Sequence, residues 1–222
     1  MSKIYKEGNG TVTLIDFMGS DKRVVDSARV SFLKDDVTKT KLTERDKKLI
    51  QFLAAHGHSS PFEHCTATFI LIVPMFVRSQ IMRHRTFSYN EVSRRYTSEK
   101  IKFWKPDEIR GQAKNNLQCS EGVLDSSEAE SIFKLAAEFS FASYQQLLEA
   151  GVSREMARSV LPQGTYTTFY MTGNLHNWIK FITLRDHDHA QLETREIAQQ
   201  IKQKLEVCFP NSMEAFFKDS DE

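Results

Sequence analysis

The sequence is poor in the features that mark exported, membrane-spanning and zinc-ribbon proteins. Its 222 residues include three cysteines, Cys65, Cys119 and Cys208, which are far apart and form no Cys-x-x-Cys pair. Neither a disulfide framework nor a zinc ribbon is therefore expected. No apolar run approaches the roughly 20 residues that span a bilayer, and residues 1–10 are polar. We expect a soluble, cytoplasmic protein without a membrane partner.

The chain also lacks an excess of positive charge and a glycine-rich nucleotide motif. Lysine and arginine number 30 against 29 aspartates and glutamates, so no bulk field would collect nucleic acid. A Gly-x-Gly-x-x-Gly sequence does not occur, which argues against a Rossmann dinucleotide site. Any anion must therefore be bound by a local group of side chains, and no nucleic-acid partner is expected.

The residue patterns predict an α+β fold in which helices surround a small, mainly antiparallel sheet. One domain is expected to cover residues 1–222, because this length supports a single sizeable core. Apolar and β-branched patterns predict strands over residues 11–18, 66–73 and 165–172. Predicted helices cover residues 21–30, 43–57, a segment after Pro74, 127–150, 153–160, a segment after Asn174, and 190–208 before Pro210.

Cap and stop residues support several of these helices. Thr43 is a predicted N-cap with Asp46 three residues on, and Gly57 is the predicted stop. Ser153 and Asn174 are predicted to cap their own helices. Residues 111–127 are polar and irregular, which favours a mobile insertion.

The stretch RHRTFSYNEVSRRY, residues 83–96, is the richest in functional side chains. It holds four arginines and a histidine but too few apolar residues to be fixed by core burial, so we expect a site loop. Guanidinium groups give paired hydrogen bonds to oxyanions, which favours phosphate recognition. On composition alone, a solvated basic loop is an equal alternative.

This stretch resembles the signature of the flavin-dependent thymidylate synthases. Arg-His-Arg at residues 83–85 is followed by seven residues and then Ser93. Further matching blocks are ARVSF at 28–32, HGHSSPFEH at 56–64, REMARSVLP at 154–162 and NLHNWIKFITLRDHDHAQLE at 174–193. The resemblance covers nearly the whole chain; residues 111–127 and the two ends look unlike the family.

The resemblance implies an FAD enzyme that methylates dUMP to dTMP. The carbon donor would be 5,10-methylenetetrahydrofolate and the reductant NADPH, with hydride delivered from reduced flavin and no enzyme nucleophile. Ser93 would bind substrate rather than attack it, since no sequence-adjacent base is evident. The family also implies a homotetramer with active sites at subunit interfaces.

The resemblance also assigns the nucleotide and catalytic residues. Arg185 would be the main catalytic residue, because a fixed cation beside uracil stabilises negative charge as the N3 proton is lost. His58 would lie near flavin and folate. Without the resemblance, Arg185 would be read as a helix-dipole partner. The dUMP contacts would be Gln80, Arg83, Glu91, Ser93, Arg94, Arg95, Arg158 and Arg185.

A further set is assigned to FAD by the same resemblance. His176 and Lys180 stand where some members carry arginine and asparagine. Trp178 and Phe181, at helical spacing, are instead predicted to be core. The FAD contacts would be Ser31, Ser60, Glu63, Arg83, His84, Arg85, Glu91, Asn174, His176, Lys180, Leu184 and His189.

Other functions remain open alternatives at the level of single motifs. Phe87, Tyr89 and Tyr96 among the arginines would suit a nucleic-acid module. The histidines of residues 56–64 have a spacing that can hold zinc, although we expect no metal. Cys65 is predicted to be buried packing, and neither it nor Cys119 is expected to be a catalytic nucleophile.

Overall fold

The computed structural model describes residues 5–6, 8–32 and 41–218. The strands are β1 (Tyr5–Lys6), β2 (Thr11–Met18), β3 (Thr66–Pro74), β4 (Ser88–Glu91), β5 (Phe103–Trp104), β6 (Arg110–Gln112), β7 (Ser120–Val123) and β8 (Tyr166–Asn174). The helices are α1 (Asp21–Arg29), α2 (Glu44–Ala55), α3 (Met75–Ile81), α4 (Ser127–Glu149), α5 (Arg154–Ala157), α6 (Leu175–Arg185), α7 (Leu192–Cys208) and α8 (Pro210–Phe217). Short 3-10 turns cover Val30–Phe32, Ser60–His64 and Arg158–Val160.

A four-stranded sheet in the order β2-β3-β8-β4 forms the centre, and every pairing in it is antiparallel. The side chains of β3 alternate, so that Phe69, Leu71 and Val73 are buried on one face. Helices α6 and α7 supply many of the apolar residues of the core, and α1, α2, α3 and α8 supply others. The predicted α+β class, with helices around a small antiparallel sheet, is confirmed.

Aromatic packing joins α6 to the sheet. The ring centroid of Trp178 lies 4.9 Å from that of Phe69 and 4.5 Å from that of Phe87, and its indole N–H donates to the carbonyl of Ala67 at 3.2 Å. Phe181 is also fully buried. The prediction that these two α6 aromatics belong to the core is confirmed.

The end of β8 takes part in the same packing. Gly173, on β8, faces Phe87 so closely that a Cβ there would overlap the phenyl ring. Only glycine leaves room for this ring. The packed ring then holds Phe87, which directly precedes β4, against the end of β8.

Most of the predicted caps are present. The Asp46 N–H donates to the Thr43 hydroxyl at 3.3 Å, and the Thr43 N–H donates back to the Asp46 carboxylate at 2.8 Å, which is a capping box. Asn174 caps α6 by accepting from the Asn177 N–H at 2.9 Å. Ser153 lies at the N-cap position of α5, but its side chain makes no capping hydrogen bond, so that part of the prediction is wrong.

Three segments differ from the sequence-based expectation. Residues 83–96 are not loop throughout, because β4 pairs with β8 inside them. Residues 111–127 are not an irregular insertion: β6 and β7 form an antiparallel hairpin before α4 begins. The chain continues past residue 208 into α8, with Pro210 at its first position, where the missing N–H costs nothing.

Helix α8 is tied back to the start of α1 by one buried side chain. The Asp21 carboxylate accepts hydrogen bonds from the backbone N–H groups of Asn211 and Ser212 at 2.8 and 2.9 Å. It also accepts from their side chains at 2.9 and 2.6 Å. Four donors satisfy this buried carboxylate, and its charge complements the N-terminal end of α8.

A second, smaller apolar cluster lies under α4. It contains Ile101, Phe103, Ala137, Tyr144 and Ala157. In the part of the chain that the structure describes, no helix combines the length and apolar character needed to cross a membrane.

Candidate functional site

A cavity of about 700 Å³ opens between the start of α3, strand β4 and the segment that contains α5. We call it the arginine pocket, after Arg78, Arg94 and Arg158. Four of the residues predicted to bind dUMP line it, namely Glu91, Ser93, Arg94 and Arg158. The remaining lining residues are Met75, Arg78, Val92, Glu155, Ser159, Leu161, Pro162, Gln163, Thr165, Tyr166 and Thr167.

Arg78 is the main pocket residue that sequence reasoning missed. Its Nε and one terminal nitrogen donate to the same Glu91 oxygen, at 3.1 and 2.6 Å. The other Glu91 oxygen accepts from the Thr167 hydroxyl at 2.7 Å. Both Glu91 oxygens are thus held by neighbouring side chains, which fixes the carboxylate within the pocket. The sequence gives little sign of this, because the three residues belong to α3, β4 and β8.

The turn after β4 supplies the next two arginines. Arg94 donates to the Glu99 carbonyl at 2.6 Å, and burial lowers the pKa of its guanidinium, with Tyr144 acting weakly in the opposite direction. Arg95 is more exposed and lies 3.7 Å from the Glu155 carboxylate at the pocket rim. The Ser93 hydroxyl accepts from the Arg95 N–H at 3.3 Å. The turn therefore presents cations both inside the pocket and at its edge.

A second group, formed by Gln80, His84 and Arg185, lies where the end of α3 meets the end of α6. We call it the Arg185 cluster. The Nε of Arg185 donates to the His84 Nε2 at 3.0 Å, and one terminal nitrogen donates to the Gln80 carbonyl at 3.0 Å. The Tyr89 hydroxyl lies 2.8 Å from the His84 carbonyl and fastens the turn to β4.

The Arg185 cluster contains a cation without a carboxylate beside it. Burial, then Arg185, then Lys180 lower the pKa of His84 to about 4, so the imidazole is neutral at pH 7. Burial also lowers the pKa of Arg185, although a guanidinium remains protonated at neutral pH. Among the described residues no carboxylate lies within ion-pair distance of Arg185. Its charge is therefore available to an anion.

The arginine pocket and the Arg185 cluster face different sides of α3. Arg78 points into the pocket, whereas Gln80, two residues later, belongs to the cluster. Two positions along an α-helix are separated by about 200°. The structure therefore does not bring Gln80 and Arg185 together with Glu91, Ser93, Arg94 and Arg158 within one chain.

Residues predicted to contact FAD share one face of α6. His176, Lys180 and Leu184 follow at intervals of four, and Leu184 is 58% exposed despite being apolar. Burial and Lys180 lower the pKa of His176, and nearby Glu63 opposes them. The Nδ1 of His176 is buried without a hydrogen-bond partner among the described residues. An apolar, partly cationic face with an unsatisfied ring nitrogen fits a large polar cofactor.

The other predicted FAD residues are more scattered. Asn174 uses its side-chain oxygen to cap α6, and Glu91 lies in the arginine pocket. His189 lies in the connection to α7, with its Nδ1 3.5 Å from the Asn116 amide of the β6–β7 hairpin. The remaining members, which are exposed, are Ser31, Ser60, Arg83 and Arg85.

The loop histidines do not gather around a common point. The ring centroids of His56 and His58 are 6.2 Å apart, and each packs near Phe52. Within residues 5–6, 8–32 and 41–218, no three histidine, cysteine or acidic side chains are grouped as a metal site requires. His58, predicted to be catalytic, is exposed, and its ring lies near those of Phe52 and His56.

Cys65 is fully buried, and the prediction that it serves packing is confirmed. Burial raises the pKa of its thiol to about 11, with the Ser20 carbonyl, Asp21 and Arg23 acting more weakly. Such a thiol is not a ready nucleophile at neutral pH.

Comparison with known proteins decides the family. The model of the thymidylate synthase complementing protein family matches residues 13–211. The chain belongs to this family. A flavin-dependent thymidylate synthase of Thermus thermophilus is 42% identical over 207 residues, covering 93% of this chain and 75% of the relative. One from Thermosipho africanus is 41% identical over 212 residues, covering 94% and 91%.

A solved structure extends the likeness to the whole fold of this thymidylate synthase complementing family member. A UMP/dUMP methylase from Streptomyces cacaoi, bound with 5-Br dUMP, superposes with a TM-score of 0.85 at 34% identity. The match covers 95% of this chain and 96% of the methylase. The resemblance to flavin-dependent thymidylate synthases is thereby confirmed, and with it the prediction that the chain is an enzyme of this kind.

Proposed function

We propose that this enzyme methylates dUMP to dTMP, with FAD as its flavin, 5,10-methylenetetrahydrofolate as carbon donor and NADPH as reductant. The arginine pocket is the observation that carries the proposal. It offers three guanidinium groups, the Ser93 hydroxyl and a fixed carboxylate in a cavity of about 700 Å³. This is enough space for a mononucleotide, and guanidinium groups match the geometry of its phosphate.

Arg158 and Arg94 are the phosphate ligands in this proposal, with Arg95 at the rim. Glu91 needs neutralising if a dianionic phosphate is to share the cavity, and Arg78 does so through two hydrogen bonds. Ser93 contributes a hydroxyl and acts in binding, not as a nucleophile. Arg83 completes the nucleotide contacts from the exposed turn after α3.

Arg185 is the catalytic cation. Because it lacks a carboxylate partner in the described chain, its charge can stabilise the uracil ring as the N3 proton leaves, which makes C5 nucleophilic. Neutral His84 holds the Arg185 guanidinium in place by accepting from its Nε. FAD, when bound, supplies the hydride that completes the methyl group. His58 is the second catalytic residue of the proposal and lies near the flavin and the folate.

The FAD face consists of His176, Lys180 and Leu184 on α6, bordered by Glu63 and His84. The unsatisfied Nδ1 of His176 is available to a polar atom of the cofactor. Further contacts come from Ser31, Ser60, Arg85, Asn174 and His189. His176 and Lys180 thus keep a role in FAD binding although some family members carry other residues at these positions.

The complete site is assembled from more than one subunit of a homotetramer. The arginine pocket and the Arg185 cluster lie on different sides of α3, so one nucleotide would reach both only across an interface. One domain spanning residues 1–222, a cytoplasmic location, and the absence of resident metal, nucleic-acid and membrane partners complete the proposal.

The decisive experiment is anaerobic turnover by the purified full-length protein. The protein is loaded with FAD, reduced with NADPH, and given dUMP and 5,10-methylenetetrahydrofolate, and dTMP is measured by chromatography. Formation of dTMP that depends on all four compounds is the expected result. A parallel reaction with UMP tests the second nucleotide of the UMP/dUMP methylase from Streptomyces cacaoi. Protein that neither retains FAD nor forms dTMP would contradict the proposal.

A further inference from the structure

A continuous chain of side-chain hydrogen bonds connects the β6–β7 hairpin to Gln80. Arg110 donates to Glu193, and Glu193 accepts from the Gln191 amide nitrogen at 2.8 Å through its other oxygen. The Gln191 oxygen accepts from the Gln80 amide nitrogen. The Gln80 oxygen accepts from the Thr194 hydroxyl at 3.3 Å. We call this the Glu193 chain.

The Glu193 chain begins at a buried charge. The Glu193 side chain is 1% exposed, and its ionic partner among the described residues is Arg110, which is 23% exposed. A carboxylate this deeply buried is costly unless it is paired and hydrogen bonded. Arg110 and Gln191 together meet that requirement, one at each carboxylate oxygen.

The charge of Glu193 dictates the direction of every bond that follows. A carboxylate only accepts, so Gln191 must turn its nitrogen towards Glu193 and its oxygen towards Gln80. Gln80 must then present its nitrogen to Gln191 and its oxygen to the Thr194 hydroxyl. The Glu193 carboxylate therefore sets the amide orientation of Gln80 through Gln191.

Gln80 is also held from the other side. Its backbone carbonyl accepts from Arg185, so both the backbone and the side chain of Gln80 are constrained at the Arg185 cluster. One amide N–H of Gln80 is used by Gln191, which leaves the second N–H as the donor that the residue can offer to a ligand.

We propose that Glu193, paired with Arg110, is a positioning residue that fixes the Gln80 amide so that it offers an N–H to an acceptor oxygen of the nucleotide. This rests on the proposed function of the site. It gives the β6–β7 hairpin a part in substrate recognition. Arg110 is the residue through which the hairpin acts.

The test is the affinity of the FAD-loaded, full-length protein for dUMP, measured by isothermal titration calorimetry. Glu193→Gln preserves shape but has both a donor and an acceptor, so Gln191 and Gln80 lose their imposed orientation. The expected result is dUMP binding weakened about five- to tenfold, the loss of one well-directed hydrogen bond. Glu193→Gln also leaves the partly buried Arg110 guanidinium without its ionic partner, so a lower melting temperature is expected, and dUMP binding is measured well below the melting temperature of both proteins.

Glu196→Gln is the matched control. This residue lies on the same helix and accepts from the Asn9 amide at 2.8 Å, and it takes no part in the Glu193 chain. Its replacement should leave dUMP affinity within about twofold of the unaltered protein, since it removes no hydrogen bond to the nucleotide. Equal dUMP affinity of the Glu193→Gln and Glu196→Gln proteins would overturn the proposal.

A second pair of variants tests the proposal at the Gln80 end of the Glu193 chain. Thr194→Val removes the hydroxyl that donates to the Gln80 oxygen, and Thr194→Ser keeps it. Weaker dUMP binding by the valine variant, with recovery in the serine variant, is expected. Equal binding by the two would count against the proposal even if Glu193→Gln failed to fold. If the unaltered protein does not bind dUMP at all, the proposed function itself fails.

Discussion

Arg78 neutralises the Glu91 carboxylate inside the pocket that we propose binds the nucleotide phosphate. Removing the guanidinium in Arg78→Ala leaves Glu91 with the Thr167 hydroxyl but without its cation. The unpaired charge would then repel the nucleotide phosphate, and we expect the KM for dUMP to rise roughly tenfold or more. Steady-state kinetics at fixed folate and NADPH concentrations measure the change.

Arg154→Ala is the appropriate comparison for this variant. Arg154 is exposed at the start of α5, one turn before Arg158, but it does not line the arginine pocket. Its loss should leave the KM for dUMP within about twofold. A similar rise in both variants would show that Arg78 acts through general surface charge rather than through Glu91.

His84 should remain neutral well below the pH at which histidines usually protonate. Its pKa is lowered from 6.5 to about 4, first by burial and then by Arg185 and Lys180. The unfolded chain therefore binds a proton between about pH 6.5 and 4 that the folded chain does not, so His84 makes the fold less stable as the pH falls through this window. Its contribution is fully present above pH 6.5.

The measurement is the position of the His84 ring proton resonance in NMR spectra. It should stay constant between pH 8 and about 5.5, since folded His84 titrates near 4. In Lys180→Met one of the two cations is gone, so the resonance should begin to move at a higher pH. A resonance that titrates near pH 6.5 in the unaltered protein would refute the neutral His84 on which the Arg185 cluster depends.

Elements with a strong local signal could be predicted from the sequence. The capping box at Thr43 and the amide cap at Asn174 fixed two helix starts, and β-branched and aromatic alternation identified β3. Strand β4 could not be found this way, because its residues Ser88–Glu91 are polar and it exists through pairing with β8. Long-range pairing of this kind overrides local propensity.

The hairpin and α8 were missed for related reasons. Strands β6 and β7 have three and four residues, shorter than any periodic pattern can show. Helix α8 differs from the prediction because Pro210, which suggests the end of a helix, is equally well suited to the first position of the next one. Each element also contacts a carboxylate that lies far away in sequence, Glu193 for the hairpin and Asp21 for α8.

The contact between β8 and the turn before β4 makes a specific demand on residue 173. In Gly173→Ala the new methyl group would overlap the Phe87 ring, so either the ring or β8 must move. Overpacking of this kind typically costs about 1–3 kcal/mol of unfolding free energy. Urea denaturation followed by circular dichroism should show it.

Gly164→Ala serves as the control for this substitution. Its Cβ would meet the Trp104 carbonyl oxygen at 3.8 Å, an ordinary van der Waals distance. The unfolding free energy should therefore stay within about 0.5 kcal/mol of the unaltered protein. Equal losses in both variants would mean that the Phe87 contact is not what requires glycine at 173.

At the scale of the whole molecule, the division of the site predicts complementation between inactive proteins. Arg158→Ala damages the arginine pocket and Arg185→Ala damages the Arg185 cluster, so each alone should be nearly inactive. If a site draws one part from each of two subunits, mixed oligomers contain some sites with both parts intact. Random mixing of equal amounts should restore about a quarter of full activity.

Co-expression of the two variants with different affinity tags, followed by tandem purification, supplies the mixed oligomers for this assay. Oligomers that carry both tags yet form no dTMP would indicate that one chain provides a whole site. Co-expression of Arg158→Ala with Arg94→Ala is the matched control, since both changes lie in the same pocket and no intact pair can form.

The matching sequence blocks named many of the residues that would touch a ligand, but not those that hold them. Glu91, Ser93, Arg94 and Arg158 came from such blocks, and the structure brings them to one pocket. Residues such as Arg78 and Glu193 act on other side chains, so their role follows only from the contacts that the fold creates. The separation of Gln80 from the pocket also required three-dimensional geometry.

The Asp21 carboxylate connects the two ends of the described chain by hydrogen bonds alone. The first and the last of the described helices are joined at this one buried group, 190 positions apart in sequence. Loss of α8 would remove four hydrogen-bond donors from the carboxylate at the start of α1, and a shift of α1 would take the acceptor away from the first N–H groups of α8. We therefore expect the two helices to lose their structure together on heating.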